Sequence, residues 1–135
     1  MTENELASII IGTAIHVHKQ LGPGLLENAY EHCLAYELKE KGLKVKQQER
    51  IPIAYKAVKL DAAYRLDLIV EDTIIVELKA VVEITPLHLA QLRTYLKLKD
   101  LKLGLLINFN TVLLKNGVRR VTHKFELSVT GPKSK

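Results

Sequence analysis

The ten residues TIIVELKAVV, Thr73 to Val82, form an apolar stretch of strand type with a carboxylate and an ammonium set into it. Burying an unpaired ion costs far more than any one apolar contact returns, so Glu77 and Lys79 require partners. Two residues apart on a strand, they point to the same face. Their neighbours Ile74, Ile75, Val76, Leu78, Val81 and Val82 indicate a central strand rather than a solvated edge. A fold that accepts this segment must therefore bring compensating chemistry to one side of a buried sheet.

The preceding segment supplies part of it. AYRLDLIV at 63–70 is separated from Thr73 by Glu71 and Asp72, and so short a gap implies an antiparallel hairpin. Asp67 interrupts the apolar LDLIV and should face a residue between Ile75 and Glu77, according to register. Two carboxylates and a lysine then share one patch, with the spacing D-x9-E-x-K. Two carboxylates that close repel, and a divalent cation removes the penalty. Oxygen donors suit Mg2+ or Mn2+ and not zinc. Such an ion acidifies a bound water and polarises a phosphoryl oxygen, while Lys79 could orient the water and offset developing charge. The pattern points to phosphodiester hydrolysis without a covalent enzyme intermediate. The spacing by itself is common, and the competing reading is a surface hairpin whose ion pairs contribute about 0–1 kcal/mol.

The rest of the chain frames this hairpin. Thr2-Glu3-Asn4-Glu5 has the form of a capping box, followed by an amphipathic helix to about Gln20 that LGPG at 21–24 stops. A second helix should run from Leu25 to Lys41 and end at Gly42, with Glu27, Tyr30 and Leu34 on one face. LKVKQQE at 43–49 and IPIAYK at 51–56 read as strands, the latter at an edge because of Pro52. Thr85-Pro86 opens a third helix to about residue 97, on which Gln91 and Tyr95 lie four apart. LGLLINF at 103–109 reads as a strand covered on both faces, and VLLKNGVRRV at 112–121 as a hairpin turning at Asn116-Gly117. The tail GPKSK should be loose. The expected fold class is α/β or α+β, three-layered, with helices on both faces of the sheet.

A length of 135 residues, 47% of them apolar, suits one domain with a substantial core. The formal charge of +5 is compatible with a polyanionic partner. Cys33 is the single cysteine, which excludes an internal disulfide and a multi-cysteine zinc site. The N-terminus has no signal-peptide pattern and no run approaches spanning length, so a soluble cytoplasmic protein is expected.

Several motifs then agree in order. Gly24-Leu25-Leu26-Glu27-Asn28-Ala29-Tyr30, YRLDLIVEDTIIVELKAV, TPLHLAQLRTYLKL and LGLLINF together resemble the GxxExxY proteins, a small prokaryotic family assigned to the PD-(D/E)XK nuclease superfamily. The resemblance runs from about Ile9 to Val121. It implies a restriction-endonuclease-like core, α-β-β-β-α-β with a mixed central sheet, plus a C-terminal β-hairpin. It implies a Mg2+- or Mn2+-dependent nuclease acting on nucleic acid, DNA above all. Asp67 resembles the superfamily's metal-binding aspartate, and Glu77 and Lys79 its E-x-K pair. Leu78, between them, joins the implied metal set, as does Glu27, which is similar to a carboxylate that some members supply from an N-terminal helix. Gln91 and Tyr95 resemble the Q-x-x-x-Y motif of RecB-type nucleases. Two positions depart from the pattern: Asn110 follows INF where glycine is expected, and Leu66 replaces the usual proline before the aspartate.

Other residues have plainer readings. Tyr30 fits core packing better than catalysis, and His18 fits a hydrogen-bonded structural role. His88 could touch phosphate at a helix start. Lys39, Lys41, Lys44, Lys46, Arg50, Lys56 and Lys59 form one basic stretch; Lys115, Arg119, Arg120 and Lys124 form another. These suit either a solvated surface or phosphate tracking. With no tryptophan, a base-stacking platform for single strands is disfavoured. Two alternatives stand beside the nuclease: a catalytically silent module that binds nucleic acid or a protein, and a homodimeric junction-resolving nuclease.

Overall fold

Thr2 and Glu5 form the capping box that the sequence requires, with bonds of 2.8 and 3.0 Å exchanged between side chains and backbone. They open α1, Glu3–Leu21, which Gly22 closes; α2 follows as Glu27–Glu40. The computed structural model describes residues 1–124, without the side chains of residues 62 and 63. The GPKSK tail lies outside the described residues. Among those described, no helix is long and apolar enough to cross a membrane.

Among the described residues, five strands build one sheet in the order β1-β2-β3-β4-β5. They are β1, Val45–Tyr55; β2, Val58–Val70; β3, Ile74–Lys79; β4, Leu103–Asn108; and β5, Val118–Thr122. Helix α3, Pro86–Lys99, crosses between β3 and β4, which are therefore parallel, while every other neighbouring pair is antiparallel. The mixed sheet, the helices and the element order agree with the restriction-endonuclease-like core. Glu71 and Asp72 both take positive φ, 55° and 51°, and make the tight turn expected between β2 and β3.

Two details differ from the sequence expectation. The segments at 43–49 and 51–56 are one strand. Pro52 is accommodated because the pairing with β2 shifts register between Ile51 and Ile53, on an edge strand that need not donate there. At the C-terminus, Asn116 and Gly117 do turn the chain, but 112–115 is not a strand. Leu114–Gly117 form a 3₁₀ helix, and β5 pairs antiparallel with β4 instead. The pull of Leu114 into the core, and the closeness of Gly117 to the Asn108 carbonyl, where a Cβ would collide, outweigh the strand propensity of Val112 and Leu113.

The sheet divides two cores. Val76, Leu78, Leu105 and Ile107 pack under α1 and α2 with Ile10, Leu34 and Leu38. Ile75, Leu106 and Val121 pack against Leu92, Tyr95 and Leu96 of α3. Strand β4 is buried at every position, as its continuous apolar run demands. Strand β2 breaks the period of two: Leu66 belongs to the α3 side, yet Leu68 belongs to the α1/α2 side. The strand turns over at Asp67, opposite Gln48, whose φ of 53° is left-handed. The β2–β3 ladder stops at the same place, its last pair being Leu68 with Val76. Beyond that point β1 and β2 continue as a two-stranded ribbon away from the sheet.

Candidate active site

One step past the last ladder pair, Asp67 stands across from Glu77, and their carboxylates replace the missing ladder bonds. The Asp67 backbone N–H donates to Glu77 Oε2 at 2.9 Å, and the Leu78 N–H donates to Asp67 Oδ2 at 2.8 Å. The two acids thus meet at a gap between β2 and β3. A residue's N–H and C=O point to the same side of a strand, so the Leu78 carbonyl faces this gap too, with no ladder partner in β2.

The pair is electrostatically loaded. Glu77 is 6% exposed, and burial, followed by the Asp67 charge, pushes its pKa up to about 8. Burial also raises Asp67, against the Leu78 hydrogen bond that lowers it; Glu31 and Glu27 add repulsion. Lys79 lies close enough to draw Glu77 downward, but among the described residues it forms no ion pair within 4.0 Å. Glu27 is at the first turn of α2 and accepts from the Ala80 N–H at 3.2 Å, just past the end of β3.

Glu31 escaped the sequence reading. It is 6% exposed, one turn beyond Glu27, and receives the Gln48 side-chain amide at 2.8 Å and that of Gln47 at 3.1 Å. Gln48 also reaches Asp67 Oδ1 at 3.4 Å, so one amide ties the helix carboxylate to the strand carboxylate. The available signal was an acid on the Tyr30–Leu34 side of an amphipathic helix, the same kind of interruption that marks Glu77.

Tyr30 is structural, as expected. Its hydroxyl donates to the Gly22 carbonyl at 2.6 Å and accepts from the Leu25 N–H at 3.0 Å, and its ring stacks on Phe109 at 4.3 Å. It pins the loop in which Gly24 takes φ 101°, and so fixes where Glu27 enters the helix. Tyr30→Phe should cost about 0.5–1.5 kcal/mol, because two backbone groups exchange the hydroxyl for water. Chemical denaturation would measure it, and an unchanged midpoint would contradict the anchoring role.

Helix α3 approaches from the opposite side. Tyr95 is buried, and its hydroxyl is raised by burial first and then by Glu77, Tyr64 and Asp67, which places it beside the acids. Gln91 is exposed and lines, with Tyr64, Thr94 and Tyr95, a notch of about 240 Å³. It makes no hydrogen bond to the carboxylates among the described residues. His88 caps α3, its Nδ1 accepting from the Thr85 N–H at 3.0 Å, which leaves its Nε2 without a hydrogen-bond partner among the described residues. His18 bonds the Thr111 carbonyl at 2.8 Å, a structural contact as expected. Asn108 and Asn110 fasten the chain after β3, since both side-chain amides donate to the Val81 carbonyl.

A family model described as the PD-(D/E)XK nuclease superfamily matches residues 4–121. The chain belongs to that superfamily. No curated protein and no solved structure matches it. Nucleases of this superfamily use divalent metals, and the donors here fit one chemically. Asp67, Glu77 and the Leu78 carbonyl are hard oxygens around a gap, and the raised Glu77 is a buried carboxyl with no ion pair within 4.0 Å among the described residues. No group of three His, Cys, Asp or Glu side chains among the described residues is arranged to hold an ion. The fit is therefore to an ion that keeps several waters, as Mg2+ does.

Proposed function

We propose that this protein is a Mg2+- or Mn2+-dependent nuclease of the GxxExxY group that hydrolyses phosphodiester bonds in DNA. The supporting observation is the Asp67–Glu77 pair: one buried acid and one half-buried acid, set across from each other at a break in the sheet, whose mutual repulsion a bound cation would relieve. Asp67, Glu77 and the Leu78 carbonyl would hold the ion, with Glu27 reaching it through a bound water. When bound, the ion would acidify a water and polarise a phosphoryl oxygen.

The side chains supply the rest. Lys79 shares the face of Glu77 and carries a positive charge to the place where negative charge grows during attack. Glu31 and Gln48 hold Asp67 in its sideways position. Tyr95 shields the α3 flank of Glu77 from water, and Gln91 presents an amide at the mouth of the adjoining notch.

The test is cleavage of plasmid, branched and single-stranded DNA, and of RNA, with Mg2+, Mn2+ or EDTA. DNA should be cut only with a cation, and Asp67→Asn should cut at least a hundredfold more slowly while circular dichroism remains native. Salt-dependent DNA binding without turnover in any cation would replace this reading with the silent binding module.

A further inference from the structure

Beyond the carboxylates, the β1–β2 ribbon has two unlike faces. Glu49 and Leu66 are paired and face α3, where Glu49 meets Lys99 at 3.6 Å and Leu66 packs in the α3 core. Ile51 and Tyr64, two residues further along, are paired and face α3 again. The pair between them, Arg50 with Arg65, must therefore face the other way. Like charges directly across an antiparallel pair destabilise it. Both arginines are exposed, and among the described residues neither has an ion pair or a side-chain hydrogen bond. Two lysines at the start of the ribbon differ, for Lys44, just before β1, and Lys46, on it, are both bound to Asp72, at 2.7 and 3.1 Å. Lys59, paired with Ala54, falls on the same face as the two arginines, since the Ile53–Leu60 pair beside it continues the α3-facing side.

Distance along the strand gives this charge its meaning. Arg65 precedes Asp67 by two residues, about 7 Å of strand, comparable to the step between successive phosphates in a nucleic-acid strand; the arginines face the α2 side of the gap, as Gln48 does, whereas Glu77 and Lys79 face α3. We infer that Arg50 and Arg65 form a phosphate-binding clamp for the phosphate next to the one at the Asp67–Glu77 gap, and that Lys59 extends the track along the ribbon. The ligand is the sugar–phosphate backbone of a nucleic acid, gripped without regard to base. An arginine pair suits it, because a guanidinium offers two parallel donors to one phosphate. The opposed charges are tolerated because the bound anion lies between them. The inference rests on the nuclease reading for its substrate, but its test does not require turnover.

Binding of a labelled duplex and of a labelled single strand, both DNA, is measured by fluorescence anisotropy in EDTA over a series of salt concentrations. For Arg50→Gln/Arg65→Gln, the slope of log Kobs against log salt should fall by about 1–2, one phosphate contact per arginine removed. Arg119→Gln/Arg120→Gln, on the far edge strand, should leave it unchanged. In the absence of nucleic acid and at low salt, Arg50→Gln should melt at a higher temperature than the parent, because one of two opposed like charges has gone. An unaltered slope in the double variant, equal losses in both double variants, or no DNA binding by the parent would each overturn the clamp. Salt-dependent binding through the arginines with no cleavage in any cation would leave the clamp standing and remove the nuclease.

Discussion

Replacing Glu77 with glutamine should raise the stability of the metal-free protein at alkaline pH while abolishing metal-dependent cleavage. The sign follows from the direction of the shift. In the unfolded chain Glu77 titrates near 4.5, and in the fold it holds its proton up to about 8. Its stabilising contribution is complete below 4.5 and is lost as the pH climbs to 8, because the folded protein must then carry a buried anion that the unfolded chain carries in water. Asp67 is raised as well and acts in the same sense, from a start near 3.8. A shift of this size corresponds to several kcal/mol, so thermal melts in EDTA should fall by about ten degrees between pH 5 and pH 9 for the parent. Glu77→Gln keeps an acceptor for the Asp67 N–H and removes the charge. Its melting temperature should be nearly flat over that range and higher than the parent's at pH 9. Mg2+ should restore the parent at pH 9 by binding the folded form alone, and should do much less for the variant. A parent that melts equally at pH 5 and pH 9, or a variant less stable at pH 9, would contradict the account.

Much of this site is legible in the sequence because it is built from local rules. The turn at Glu71-Asp72 follows from the two-residue gap, and it sets Asp67 opposite Glu77 once the register is counted back from Val70 and Ile74. Thr85-Pro86 announces α3, while Tyr95, expected with Gln91 on a face beside the leucines, is buried together with Leu92 and Leu96. Residues whose role depends on distant parts of the chain were hidden. Glu31 becomes meaningful only when α2 lies over β1 and meets Gln47 and Gln48, and Gln48 looks like a plain strand residue until its left-handed backbone appears. The turnover of β2 at Asp67 is equally invisible, because AYRLDLIV alternates as well for a regular strand as for a broken one. Val112 and Leu113 show the opposite failure: strong strand formers, they were overruled by the burial of Leu114 and by the contact of Gly117 with β4.

Lys79→Ala should separate chemistry from folding in a way that no carboxylate variant can. The Lys79 backbone is secured independently of its side chain, since its carbonyl accepts from the Phe109 N–H at 2.8 Å and its position in β3 is paired with Asn108. Truncation therefore leaves the strand intact. In the proposed mechanism it removes the ammonium on the Glu77 face, and with it the stabilisation of charge that would appear only during attack on phosphorus. Loss of such a group lowers turnover by about 10²–10³-fold. On the proposed clamp, flanking phosphates would be held elsewhere on the ribbon, so ground-state binding should change little and the loss should fall on kcat rather than KM. Lys79→Arg retains the charge but replaces a compact ammonium with a planar fork, and should recover only part of the rate. Single-turnover cleavage with saturating cation would measure both. If Lys79→Ala instead raised KM with kcat unchanged, the lysine would be a substrate-binding group, and the charge that assists attack would have to come from the metal alone.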